Sequence, residues 1–310
     1  MLKLAEDITI ERIVDIDPGR MALDFLFPGA TLDALLPHRD WLEPHHVDFA
    51  TSEVILSMQS HLIRIGGRNI LVDTCVGDCK QRPKRPNWHD RKGAIYLRNL
   101  AAVGLSPEDI DVVFCTHLHA DHAGWNTQLV DGRWVQTFPN ARYLVGKEEL
   151  DYWLAEEAKN PGMPGHGVIG DSVLPIVEAG LMETVDDGAD LGTRISIASG
   201  RLSSADLAGH SPGQMGLWLT HPEGRALFCG DAVHNVAQLA RPDWSSQFCS
   251  DPEQAARLRH HLFDAMAETS DMLIPAHLRG AMALCVRPDG AAWKPDWVWA
   301  EQTNLERINQ

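Results

Sequence analysis

The sequence lacks the features of a membrane-spanning or exported protein. No apolar run approaches the roughly 20 residues that a membrane-spanning helix needs. Residues 1–10 contain Glu6 and Asp7, where a secretory signal would have an apolar segment. The six cysteines are spread too thinly over 310 residues for a disulfide framework. We therefore expect reduced thiols, a cytoplasmic location and no membrane partner.

Positive charge is also scarce. The chain has 27 Lys and Arg residues against 43 Asp and Glu residues, for a net charge of −16. A surface of this sign disfavours nucleic acid as a partner. The length allows a large hydrophobic core. We expect residues 1–50 to be an N-terminal arm that packs on the core or on a partner subunit, with a homodimer as one alternative. Residues 51–310 form the main predicted domain.

A cluster of metal-binding side chains lies near the middle of the chain. Residues 110–115 are mostly apolar and rich in β-branched side chains, which predicts a buried strand. Directly after this strand come His117, His119, Asp121 and His122. Imidazoles and carboxylates are ligands of zinc and similar divalent ions. The cluster therefore predicts a metal site at a strand end, the alternative being a polar turn with hydrogen-bonded histidines.

Three further candidate ligands follow in the second half of the chain. His210 lies in a Gly- and Pro-containing loop before a predicted strand, and Asp231 and His277 each follow a short apolar run. Residues 194–198 are also expected to form a strand. Loops at strand ends can converge on one edge of a layered α/β protein. We expect all seven candidate ligands to meet at such an edge.

The combined pattern resembles the metallo-β-lactamase superfamily over roughly residues 52–280. It consists of His-x-His-x-Asp-His, an isolated His, Gly-Asp and a late His. The resemblance implies an α/β fold of the αββα sandwich type, with two mixed sheets face to face and helices outside. It also implies the metal ligands: His117, His119 and His210 for one ion, Asp121, His122 and His277 for a second, and Asp231 bridging both.

The implied chemistry is hydrolysis. Two divalent ions about 3.5–4 Å apart can share a hydroxide that attacks a carbonyl or phosphoryl centre. Asp121 is expected to be catalytic as well as a ligand, because it can orient the nucleophile or carry a proton. Zinc is the first expectation, and manganese, cobalt and iron accept the same ligands. Thr116 and His234 are candidates for contacts to the ligands from outside, or, for His234, to substrate.

Within the superfamily, the sequence is most similar to the lactonase and organophosphorus (methyl parathion) hydrolase-like branch. His210 lies 88 positions after His122, a long insertion that favours the organophosphorus hydrolases. Lactonases commonly have a Tyr near the metals, and none of the three tyrosines is beside a ligand. The alternatives are a thioester hydrolase similar to glyoxalase II and a mononuclear-iron oxidoreductase of the same fold.

The sequence says less about the substrate. Trp88, Trp125 and Trp244 lie near the ligand loops, and any of them could line an apolar pocket. Such a pocket predicts a small, neutral, hydrophobic substrate: a lactone, an aryl ester or a phosphotriester. Residues 160–170 contain several glycines and prolines, and we interpret them as a lid over the pocket.

Overall fold

The first half of the chain forms one large mixed sheet. The computed structural model describes residues 1–197, 201–222 and 224–300. The strand order is β1-β2-β4-β5-β6-β9-β10, with β3 paired to β4 and with β5, β6, β9 and β10 mutually parallel. The strands are β1 Leu2–Ala5, β2 Ile8–Ala22, β3 Val47–Asp48, β4 Glu53–Ile65, β5 Arg68–Val72, β6 Val112–Cys115, β9 Arg142–Gly146 and β10 Met182–Val185, with β7 Thr127–Val130 and β8 Arg133–Gln136 in a separate hairpin.

The second half forms a six-stranded sheet in the order of the sequence, from β11 to β16. All neighbours are antiparallel except β13 and β14, which are parallel. Its strands are β11 Arg201–Asp206, β12 Met215–His221, β13 Gly224–Gly230, β14 Met272–Pro275, β15 Ala283–Asp289 and β16 Ala292–Val298.

The helices lie on the outer faces of the two sheets. The longest are α4 and α8, and α8 begins with Pro252 after Asp251, whose carboxylate accepts a hydrogen bond from Gln254 N. This is the capping pattern that the sequence of that helix predicts. The helices are α1 Leu23–Leu26, α2 Arg39–Leu42, α3 Ile95–Ala102, α4 Lys147–Lys159, α5 Leu174–Glu178, α6 Leu191–Arg194, α7 Ala237–Ala240 and α8 Pro252–Ala267. In the part of the chain that is described, no helix has both the length and the apolar character to cross a bilayer.

Strand β6 shows why the sandwich has three hydrophobic layers. Side chains alternate between the faces of a strand. Val112 and Phe114 therefore pack between the two sheets, while Val113 and Cys115 pack on the other face against α3 and α4. A strand buried on both faces has an uninterrupted apolar sequence, as β6 does. A third hydrophobic cluster lies between the second sheet and α8.

The predicted fold class, an αββα sandwich with helices outside, is confirmed. The strand predicted at residues 194–198 is wrong where it is described, because residues 191–194 form α6, capped by the Asp190 carboxylate. Ala198 lies outside the described residues. The division into an arm, 1–50, and a domain, 51–310, stays a prediction. Within the arm, β2 pairs with β4 along most of its length and so belongs to the first sheet.

Candidate metal centre

Three histidine nitrogens converge at one point where the two sheets meet. His117 and His119 follow β6, and His210 lies in the loop between β11 and β12. His117 Nε2 is 3.1 Å from His119 Nδ1 and 3.2 Å from His210 Nε2, and the latter two atoms are 2.9 Å apart. One small cation could contact all three nitrogens.

A second group of side chains adjoins the first through Asp231. Asp231 follows β13, and its Oδ2 lies 3.3 Å from His122 Nε2 and 3.5 Å from His210 Nε2. Its Oδ1 lies 3.1 Å from His277 Nε2, which follows β14. Asp121 completes the group, with Oδ2 3.8 Å from His277 Nε2. The structure thus brings together all seven side chains that the sequence predicted as ligands.

Outer hydrogen bonds fix which ring nitrogen of His122 and of His277 faces the centre of the cluster. His122 Nδ1 lies 2.9 Å from Asp73 Oδ2, and a carboxylate can only accept, so His122 donates from Nδ1. His277 likewise donates from Nδ1 to the carbonyl of Ser57 at 3.0 Å. In their neutral forms both rings therefore present the lone pair of Nε2 to the Asp231 carboxylate. Partners of this kind commonly orient the ligands of a metal.

His117 is oriented in the same way through Thr116. The Thr116 hydroxyl lies 2.8 Å from Asp73 Oδ2, so its single proton goes to that carboxylate. Thr116 Oγ1 is then the acceptor for His117 Nδ1 at 3.1 Å, and Nε2 of His117 presents its lone pair to the centre. Thr116 thus contacts His117 from outside the cluster, and its role in orienting a metal ligand stays a prediction.

The electrostatics of the cluster fit a bound cation. His122 and Asp231 are both buried, and two acceptors 3.3 Å apart repel unless positive charge lies between them. Burial alone lowers the pKa of His122, but the carboxylates of Asp231 and Asp73 outweigh it and hold that pKa well above its ordinary value. A divalent ion would supply the same compensation as this proton. Burial also lowers the pKa of His119 to about 4, which keeps its ring neutral. Imidazole and carboxylate donors suit zinc, manganese, cobalt and iron.

Glu149 on α4 ties two of the ligand loops together, and the sequence analysis did not find it. Its buried carboxylate accepts hydrogen bonds from Leu118 N, Ser211 Oγ and Trp153 Nε1 at 2.6–2.9 Å. Leu118 and Ser211 are the residues directly after His117 and His210. Burial raises the pKa of Glu149, and the hydrogen bonds lower it in part. Asp73 was missed too, although it directly follows β5, which neighbours β6.

His234 lies beside the bridging carboxylate. Its Nε2 is 3.2 Å from Asp231 Oδ2 and 3.1 Å from Ser246 Oγ. Its Nδ1 is buried, and among the described residues it has no hydrogen-bond partner. The ring also lines the cavity in front of the cluster. Its contact to substrate stays a prediction.

The cavity in front of the cluster has a volume of about 170 Å³. Trp88 lines it, as does Trp153, which the sequence analysis did not consider. Trp125 and Trp244 lie elsewhere: Trp125 stacks on Tyr96 in the core at 5.6 Å, and Trp244 packs on Phe27 at 5.9 Å. Trp153 follows Glu149 by four positions on α4, so the two share a helix face.

The segment predicted as a lid reaches the cavity. Gly165 and His166 line it, and both have left-handed backbone conformations, with φ of 54° and 62°. Whether residues 160–170 open and close stays a prediction.

Comparison with known proteins agrees with the geometry. The sequence profile described as "Metallo-beta-lactamase superfamily" matches residues 58–277. A curated relative, the N-acyl homoserine lactonase AttM of Azorhizobium caulinodans, is 25% identical over 152 residues, which are 45% of this chain and 48% of the relative. The chain thus matches about half of that relative's length.

Two solved structures resemble the whole chain. The hydrolase AbOPH of the beta-lactamase superfamily superposes with a TM-score of 0.74 at 25% sequence identity, covering 97% of both chains. AidC, a dizinc quorum-quenching lactonase, superposes with a TM-score of 0.73 at 19% identity, covering 98% of this chain and 97% of its own. The likeness to AidC concerns the fold alone.

Proposed function

The chain belongs to the metallo-beta-lactamase superfamily, and from this premise we propose that it is a dinuclear-metal-dependent hydrolase of ester-like bonds. The substrates we propose are lactones, aryl esters and phosphotriesters. Zinc is the first metal to test. AttM is named as a lactonase and AbOPH as a hydrolase, and both names support this class.

One observation carries the proposal: four loops bring seven imidazole and carboxylate groups together in adjoining clusters, and five of these groups line the cavity. The bridging position of Asp231 supports two ions rather than one, because its two oxygens face different histidines. Oδ2 faces His122 and His210, and Oδ1 faces His277. A single ion would leave part of this donor set without a partner.

When bound, the ions would polarise the ester oxygen and lower the pKa of a water molecule so that it can attack at neutral pH. The protein's own part is orientation. Asp73 and Glu149 hold the ligand loops in place, so the donors need little reorganisation. Asp121 lines the cavity and is less buried than Asp231. We assign to its carboxylate the orientation of the attacking water and acceptance of its proton.

The proposal is tested with metal-reconstituted protein on a panel of lactones, aryl esters, phosphotriesters, thioesters and β-lactams. We expect turnover of at least one of the first three classes and its loss on chelation. Hydrolysis confined to thioesters would favour a glyoxalase II-like activity. Failure on every class with metal bound would contradict the proposed substrate class.

A further inference from the structure

A second cavity adjoins the one in front of the metal ligands. It has a volume of about 360 Å³. The two cavities share one wall, made of Met21, Leu56, Met58, Arg85 and Trp88. A substrate held at the metal ligands could therefore extend past this wall into the second cavity.

The charge of the second cavity is opposite to that of the chain. Its lining includes Arg20, Lys84 and Arg85, and no Asp or Glu among the described residues that line it. In a chain with 43 acidic and 27 basic residues, a cavity whose charged lining residues are all basic is unexpected. Such a cavity attracts anions locally, whatever the net charge of the protein.

Two of these three cations have no acidic partner among the described residues. Arg20 is paired with Asp48 at 2.9 Å and Glu53 at 3.1 Å. By contrast, the structure shows no hydrogen bond or ion pair from the side chains of Lys84 and Arg85 to any other described residue. A half-buried guanidinium without an acceptor is a candidate for binding a ligand.

Aromatic rings hold the Arg85 guanidinium in place. Its central carbon lies 4.9 Å from the ring centre of Phe248, 5.3 Å from that of Trp88 and 5.8 Å from that of Phe25. Cation–π contacts of this kind fix the position of the group without using up its N–H donors. The planar fork of donors therefore stays available for a carboxylate.

The rest of the second cavity is largely apolar, with Asn87 as a polar exception. Ile16, Pro18, Phe25 and Pro86 contribute to its lining. Apolar walls with cationic side chains among them suit a molecule that has an apolar chain and an anionic group.

We propose that the second cavity, together with Arg85 on the wall that it shares with the first, binds the part of the substrate remote from the ester, an apolar chain ending in a carboxylate. Arg85 is the specificity-determining residue, and Lys84 adds positive charge. This inference rests on the proposed hydrolase function and narrows it: the substrate is an ester whose remote end is anionic, rather than a neutral molecule throughout.

The test uses pairs of phenyl esters that differ only at the remote end. The metal-loaded protein is assayed on the monophenyl esters of glutaric, adipic and suberic acids and on the matched monoamides. We expect at least one carboxylate ester to have a kcat/KM about tenfold or more above that of its carboxamide, as a hydrogen bond to a charged group allows. Added salt reduces this ratio. The ratio falls towards one in Arg85→Gln and is partly restored in Arg85→Lys.

Lys92→Gln is the matched control, because Lys92 lies on the same loop, is exposed and is paired with Asp90. This variant keeps the ratio. Equal kcat/KM for every pair, or a preference that survives Arg85→Gln, would overturn the inference and leave the hydrolase proposal intact.

A binding measurement separates the two proposals if no ester is cleaved. Calorimetry with sodium octanoate and the metal-loaded protein is expected to show affinity about tenfold weaker in Arg85→Gln than in the wild type and Lys92→Gln. That result without hydrolysis would refute the proposed function and keep the anion site. Octanoate affinity independent of Arg85 would refute the anion site.

Discussion

The two walls of the central cavity are built differently. The metal-facing wall consists of the candidate metal ligands, most of which are buried. Asp73 and the Ser57 carbonyl hold individual rings, and Glu149 holds the backbone and side chain of residues next to two of the ligands. The opposite wall comes mainly from loops, β2 and β4. Several of its side chains, including Met21, Trp88 and His166, are half-buried, whereas Leu56 and Met58 of β4 are buried.

This contrast separates the two parts of enzyme function. In the hydrolase that we propose, the metal-facing wall determines the kind of reaction, because ligand type and orientation are fixed before substrate arrives. The opposite wall determines which molecules fit into the cavity. Substitutions on the two walls should therefore change different properties of the protein.

The largest effect is expected from Asp231→Ala. It removes the group that we propose to bridge both ions, so hydrolysis should fall by roughly 10³-fold or more. Metal content should fall with it, while the circular dichroism spectrum stays that of the folded protein. If Asp231→Ala keeps full activity with its metal, the bridging role is refuted.

The buried ion pair of Arg82 and Asp171, which we call the anchor, holds the opposite wall in place, and Arg82→Ala should break it. Arg82 is fully buried and donates to both oxygens of Asp171 at 2.7 and 2.8 Å, which joins the loop carrying Arg85 to the segment after His166. Removing one partner of a buried pair costs about 3–5 kcal/mol. Urea unfolding should show this loss, and the metal affinity of the folded protein should be unchanged.

The matched control is Arg142→Ala, since Arg142 makes the same two-pronged contact to Glu183 at an exposed site. Exposed pairs contribute about 0–1 kcal/mol, so its loss should be small. Equal losses of unfolding free energy in Arg82→Ala and Arg142→Ala would show that burial does not strengthen the contribution of the anchor to stability.

Asp73→Ala tests the support of the metal-facing wall. It removes the acceptor for Thr116 Oγ1 and His122 Nδ1, and loss of such outer partners weakens metal binding by about 10–100-fold. A chelator competition measures this. Asp111→Ala is the control, because Asp111 is paired with Arg68 away from the cavity. Unchanged affinity in Asp73→Ala would mean that the backbone alone orients these ligands.

The smallest expected effect is a pH dependence of the free energy of unfolding, which comes from Lys80 beside the anchor. Lys80 is buried beside Asp171, and burial lowers its pKa from 10.5 to about 7. Between these values the unfolded chain holds a proton that the folded chain has released, so this residue makes stability rise with pH. The expected slope is at most about 1.4 kcal/mol per pH unit above pH 7.

Urea unfolding of the wild type and Lys80→Met at several pH values measures this slope as a difference between the two proteins. Lys92→Met, at an exposed position, should give no such slope. A constant difference between the wild type and Lys80→Met from pH 7 to pH 9 would contradict the lowered pKa.

The sequence predicted the metal-facing wall better than the opposite one, for a physical reason. All of its candidate ligands except His210 follow apolar runs that predict strands, and parallel strand ends meet at one edge. Asp73 and Glu149 could not be found in this way, because one acidic residue after a strand or within a helix has no distinctive local pattern.

Predictions for the opposite wall depended on proximity in sequence, which is a weak guide to loops. Trp125 and Trp244 lie close to ligand loops yet pack against the core. By contrast, Trp153 reaches the cavity from helix α4, and Arg85 reaches it from the same loop as Trp88. The position of β2 in the first sheet depends on its long-range pairing with β4, which the alternation of side chains alone could not reveal.

Metal analysis of the folded protein, combined with hydrolysis of the ester panel, tests the central claim most directly. We predict about two divalent ions per chain, and hydrolysis that is lost with the ions on chelation and returns when they are restored. A single redox-active iron per chain, with no hydrolysis of any ester, would contradict the account and favour an oxidoreductase of the same fold.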